Sequence, residues 1–283
     1  MILHIKISYN IIMENCAFID IITTGNDLYG KNNCPIQFCC EIIPLSELFS
    51  QNSSSKKMFF NIVPDEEILT TGYIHSGGLT NESLKNSIDS KKCYTLENGL
   101  KVIYKLLSLI KDKGIYLIGY NHINYDLDIL NKHFKRVLNL DPIVFSEDHI
   151  IDVMKLAELK IPITKIGNYT MESVFSYITD NPNALLEEYL KTGRGCCTDI
   201  FITKQILKGL IDYSNTFSDI NKMINEPYEV KIFNFGKYKG ASLEKIFETD
   251  RQYFDWLIKN KSKITNHPNL ISTIQKMIQT VSE

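Results

Sequence analysis

The sequence is short of arginine, tryptophan, net charge and long apolar runs. Only Arg136, Arg194 and Arg251 occur among 31 basic residues, and Trp256 is the sole tryptophan. Lysine, asparagine and isoleucine abound instead, which reads as AT-rich coding and not as chemistry. The formal net charge is −2. Charge over the whole chain therefore makes no case for nucleic acid, and any such surface must be a local patch. No stretch reaches the roughly 18 apolar residues of a membrane span. The opening "MILHIKISYNIIMENCAF" lacks a basic region, a long apolar core and a small-residue cleavage site, so no signal peptide is expected there. No CxxC pairs with a second CxxC or with HxxxH, so zinc is not expected. The seven cysteines are odd in number and include the neighbours Cys39-Cys40 and Cys196-Cys197. Reduced thiols of an intracellular protein, cytoplasmic or nuclear, are the expectation.

What is present is ordinary globular composition, 44% hydrophobic and 23% charged over 283 residues. "NCAFIDIIT", "IQFCCEIIP" and "MFFNIVP" read as three successive strands, an antiparallel meander. "TLENGLKVIYKLLSLIKDK" then spaces apolar residues at helical intervals and ends at Gly114. "GIYLIGYN" reads as a buried strand, "YDLDILNKHFKRVL" as an amphipathic helix, and "HIIDVMKLAELKIP" as a strand tip entering a helix. Three further helices run to residue 213. The pattern predicts an α/β fold: a mixed five-stranded sheet flanked by helices over 14–213. A linker follows at 214–228. A small α+β module with a Gly-flanked basic turn and the lone Trp occupies 229–283, with Trp256 and Tyr253 expected in its core.

Three aspartates stand at strand ends or first helical turns, where function collects in α/β sheets. Asp20 ends the first strand, Asp126 opens the helix after "GYNHINY", and Asp199 opens "TDIFITKQIL". Converging carboxylates suit hard divalent cations such as Mg²⁺ or Mn²⁺. Taken singly, each has a plain reading as well: Asp126 as a cap, Asp199 as an acid favoured by a helix dipole.

In order along the chain, "FIDIITTG", "YIHSGGLT", "IGYNHINYDLDIL", "IIDVMKLAELKIP", "NYTMESV" and "GRGCCTDIFITKQIL" resemble the motifs of the DnaQ-like (DEDDh) 3′–5′ exonucleases. The tail "FNFGKYKGASLEKIFETDRQYFDWLI" looks like the C-terminal module of exodeoxyribonuclease X-like proteins. The resemblance implies a ribonuclease-H-like fold. It implies Asp20, Asp126 and Asp199 as metal ligands for Mg or Mn. It also implies nucleic-acid contacts at Thr23, Thr24 and Gly25, at Asn121 and Tyr125, and in the basic turn. In that turn Lys237 and Lys239 flank Tyr238, a combination suited to a phosphate and a stacked base; the plain alternative is a tight turn with solvated lysines.

Two positions depart from the family pattern. The first-motif Glu is Ile22, which offers no oxygen to a cation. The general-base His is Arg194, which stays protonated and cannot take a proton from water. Arg194 could serve instead as a built-in cation beside Asp199 or a substrate phosphate. His122, His75, Asp128 and Glu41 do not replace what is lost. Three readings stay open. The first is a binder of single-stranded or 3′-ended nucleic acid that hydrolyses weakly or not at all. The second is an active Mg²⁺- or Mn²⁺-dependent exonuclease. The third is a scaffold for replication or repair proteins. AT-rich coding and an eroded site fit a large DNA virus or a protist.

Overall fold

The computed structural model describes residues 15–24, 33–50, 55–64, 93–193, 195–261 and 267–280. The readings that fall on Gly25, His75, the "YIHSGGLT" turn and Arg194 lie outside them. The sheet is mixed and six-stranded, in the order β4-β3-β2-β1-β5-β6. Strands β1 (Asn15–Thr23), β2 (Pro35–Pro44) and β3 (Lys56–Val63) form the expected antiparallel meander. β5 (Tyr116–Gly119) runs parallel to β1, and β6 (Ile150–Asp152) parallel to β5. The sixth strand, β4 (Cys93–Thr95), lies parallel to β3 at the edge. It corrects the expected count of five. Three residues are too few to show an alternating pattern.

β1 is apolar almost throughout because both faces of the sheet are covered. Side chains alternate along a strand. Cys16 and Phe18 enter one core cluster while Ala17, Ile19 and Ile21 enter the other. The second cluster is closed by α2 (Leu96–Asp112) and α3 (Asp126–Leu138). The first is closed by α4 (Val153–Lys160), α6 (Met171–Ile178), α7 (Ala184–Thr192) and α8 (Cys196–Leu210). The four-residue helices α1 (Leu45–Leu48) and α5 (Ile163–Ile166) sit in connections. No helix among the described residues is long and apolar enough to cross a membrane.

The stretch expected as a linker holds a helix, α9 (Phe217–Asn225), opened by a Thr216–Asp219 capping box. Phe217 and Ile220 are buried in the body's core. Asn221 Nδ2 donates to the carbonyls of Glu147 (2.6 Å) and Ile150 (2.9 Å), covering the β6 edge. The chain leaves the body only after this helix.

The tail has its own small core around Phe233, Leu243, Ile246, Phe254, Leu257, Leu270 and Ile274. It is built from one antiparallel bridge, Ile232 to Ser242, and helices α10 (Leu243–Thr249), α11 (Arg251–Lys259) and α12 (Pro268–Thr280). Trp256 is not in that core. It is 49% exposed and stacks on Tyr253 at a centroid distance of 5.9 Å. Its position on α11 lies one residue before buried Leu257 and two after buried Phe254, off the buried stripe.

Candidate active site and nucleic-acid cleft

The carboxylates gather where β1 outruns β5. The two strands pair only from Cys16 to Phe18, so the backbone beyond has no parallel neighbour. After Gly119 the chain turns through Asn121, whose φ is +56°, and starts α3 at Asp126. The Asp126 side chain then fills the gap: Oδ1 accepts from Ile21 N at 2.8 Å. Gly119 is required there, because a Cβ would lie 2.6 Å from the Cβ of His122. Asp199 comes from the first turn of α8, and Tyr189 OH donates to its Oδ1 at 2.6 Å. α8 is pinned over this face by a buried ion pair, Lys204 Nζ to Glu41 Oε1 at 2.9 Å.

Electrostatics show that the three acids are neighbours. Burial, then the charges of Asp199 and Asp126, push the Asp20 carboxyl well above its ordinary value. Asp20 Oδ2 is shielded from solvent and has no hydrogen-bond partner among the described residues. Burial pushes Asp126 up to about 8, against the pull of the Ile21 N–H. A fourth acid, Asp152, joins them. Its Oδ1 accepts from Asn121 N (2.8 Å) and Met154 N (3.0 Å), and burial lifts it to about 6. Asp152 thus caps α4 and holds the Asn121 turn; its signal was the "IID" strand tip.

The donor set fits a hard cation. The charges of Asp199 and Asp126 raise the Asp20 carboxyl, and Asp20 Oδ2 is buried without a partner among the described residues, a cost that a cation would remove. Asp126 Oδ1 and Asp199 Oδ1 are already engaged. What remains suits one divalent ion better than two. Ile22 adds nothing to it: its side chain packs against the core and against the small cluster of Ile36, Val63 and Cys93.

A cleft of about 510 Å³ opens beside these acids. Asp20, Asn121, Tyr125 and Asp126 line one wall; Asn234, Phe235, Lys239 and His267 of the tail line another. Of the expected nucleic-acid contacts, Asn121, Tyr125 and Lys239 face this space. Thr23 and Thr24 are buried, 5% and 1% exposed. Thr23 Oγ1 meets Tyr125 OH at 2.7 Å, and Thr24 Oγ1 accepts from Cys34 N at 3.0 Å, closing the β1–β2 connection. Lys237 and Tyr238 are turned to the module instead. Both bond Asp250 Oδ2, and the Tyr238 ring packs edge-on against Tyr253. The sequence reading missed Phe235 and His267, whose rings stack at 4.2 Å and 21° on the cleft wall. No periodicity links them, since they lie on either side of two helices. His122 is fully buried, and burial pulls it down to about 3. It is neutral and does not line the cleft.

Residues 233–262 match the family model of the exodeoxyribonuclease X-like C-terminal domain. The body has the fold of exonuclease I. A crystal structure of E. coli exonuclease I in complex with a dT13 oligonucleotide superposes with a TM-score of 0.50 at 15% identity, over 69% of this chain and 40% of that one. A second exonuclease I structure gives 0.52 at 18% identity, again over 69% and 40%. The chain thus matches well under half the length of exonuclease I. No curated protein sequence matches it. The exonuclease I fold of the body and the family-model match over residues 233–262 agree with the resemblance read from the sequence motifs.

Proposed function

We propose that this protein holds the 3′ end of a single nucleic-acid strand in the cleft between body and tail, and hydrolyses it weakly or not at all. The observation that carries this reading is the pairing of a retained acid cluster with a lost ligand. Asp20, Asp126 and Asp199 remain together, while the fourth carboxylate position is Ile22, folded into apolar packing. Asp20, Asp126 and Asp199 would hold one Mg²⁺ or Mn²⁺, which would supply positive charge against a substrate phosphate. Lys239 adds a phosphate contact from the tail, and the Phe235–His267 stack offers a face to a base. Tyr125 and Asn121 border the opposite side. The DNA-bound exonuclease I with the same fold supports a single strand as ligand. Replication or repair proteins as partners rest on the family resemblance alone.

A second reading is a working 3′–5′ exonuclease. The partnerless Asp20 oxygen favours it, because an acid cluster kept under such strain invites a cation. One assay separates the two. Labelled single-stranded DNA is incubated with Mg²⁺ or Mn²⁺ and wild type, Asp20→Ala, or Ile22→Glu/Arg194→His. The binder reading expects no 3′ shortening by wild type, salt-sensitive binding, and cutting only by the double variant. Digestion by wild type that Asp20→Ala abolishes would sink it.

A further inference from the structure

The face that carries Asp20 also carries a group of thiols with no part in the reading above. Cys39 on β2 is the direct cross-strand partner of Asp20. Cys196 and Cys197 open α8, whose first turn descends onto that position. The three sulfurs lie within 4.8 Å of one another, and Cys197 Sγ stands 3.3 Å from Cys39 Sγ. We propose that Cys39, Cys196 and Cys197 form a trithiolate site for a soft d¹⁰ cation of the Zn²⁺ class.

The geometry is close to what such an ion needs. Sulfurs about 2.3 Å from zinc in a tetrahedral set lie about 3.8 Å apart, so small rotations would admit the ion. Two ligands sit on a helix start and one on a central strand, both held by packing. Cys197 Sγ donates to Cys39 Sγ, so two of the three sulfurs already face one another across the helix–strand contact. Spacing along the chain concealed the set, because Cys39 and Cys197 are 158 residues apart. Cys34 and Cys93 are also buried but lie outside the cluster.

The site is distinct from the hard-cation reading, since thiolates select soft metals and carboxylates select Mg²⁺ and Mn²⁺. The test uses the full chain, reduced and desalted without oxygen, titrated with Co²⁺ and then Zn²⁺. One equivalent of Co²⁺ should give thiolate-to-metal charge-transfer absorption with tetrahedral visible bands, and Zn²⁺ should bleach both. Excess Mg²⁺ should leave them unchanged. Cys39→Ser and Cys197→Ser should each weaken binding by more than about 100-fold, beyond what losing an outer-sphere partner costs. Cys93→Ser and Asp20→Asn should keep the band, so failure of the nuclease-site reading would not touch this one. Circular dichroism checks that each variant folds; Cys197 is only half-buried, so its variant serves if Cys39→Ser does not fold. Absence of the charge-transfer band, or its survival in Cys197→Ser, overturns the proposal.

Discussion

The Asp126 carboxylate completes the sheet at the point where β5 stops, accepting a 2.8 Å hydrogen bond from the backbone N–H of Ile21. Removing the acceptor strands a buried donor. Asp126→Ala should cost about 1–3 kcal/mol of stability. Asp126→Asn keeps an oxygen in place and should cost less than half as much. Urea unfolding of the two variants without added metal checks this. Equal losses would mean that the charge, and not the hydrogen bond, matters to the fold.

His122 gives the fold an acid-side weakness. Folded, it is buried and neutral with a pKa near 3; unfolded, it takes up a proton below its ordinary 6.5. A lowered histidine contributes stability that is present above 6.5 and is lost as pH falls toward 3. The rate is up to about 1.4 kcal/mol per pH unit. Nearby acids with raised pKa slope the other way, so the comparison is with His122→Leu. Wild type should lose stability relative to this variant only below about pH 6.5. A constant difference from pH 4 to 8 would contradict the assignment.

The Lys204–Glu41 pair fixes α8, and with it Asp199, against β2. Its side chains are 15% and 6% exposed. Breaking it from one side leaves a buried charge, so Lys204→Met should cost about 3–5 kcal/mol. Lys204→Met/Glu41→Leu should recover most of that loss. If the double variant is no better than the single one, the pair is not acting as a unit.

The meander and the amphipathic helices were legible because each is long enough to show its pattern, and β5, though only four residues, because it sits in a short apolar run. β4 is three residues, and α9 was read as linker although its Phe217–Ile220 spacing and Thr216–Asp219 capping box were in view. Asn- and Ser-rich flanks masked that helix. The acid cluster was legible through motif order, not through periodicity. The thiol group, the Tyr189–Asp199 bond and the Phe235–His267 stack depend on register and on how the tail lies against the body. Lys237 and Tyr238 promised a nucleic-acid contact, but their partner, Asp250, lies twelve or more residues on, and local sequence gave no sign of it.

Ile22 tests how far the acid site has drifted. It shares the Asp20 face, since side chains alternate along β1. Ile22→Glu would put a carboxylate into partly apolar packing beside an acid whose pKa is already raised. Without cation it should lose about 1–3 kcal/mol. Mn²⁺ should restore stability in the variant more than in wild type, because a ligand that binds only the folded state stabilises it. Thermal melts with and without Mn²⁺ read this out. An equal Mn²⁺ response in both proteins would show that the position no longer points at the cluster.

Lys239 and Lys237 should differ in binding despite standing two residues apart. Lys239 borders the cleft that Asp20 and Asp126 also line. Lys237 is held by Asp250 at 3.2 Å and lies over the Tyr238 ring. For a single strand, each phosphate neutralised contributes about −0.7 to the slope of log K against log salt. Lys239→Ala should therefore weaken binding of a labelled oligothymidylate and flatten that slope by about 0.7, whatever the base sequence. Lys237→Ala should leave the slope unchanged. The reverse order would move the strand's path out of the cleft and onto the outer face of the tail.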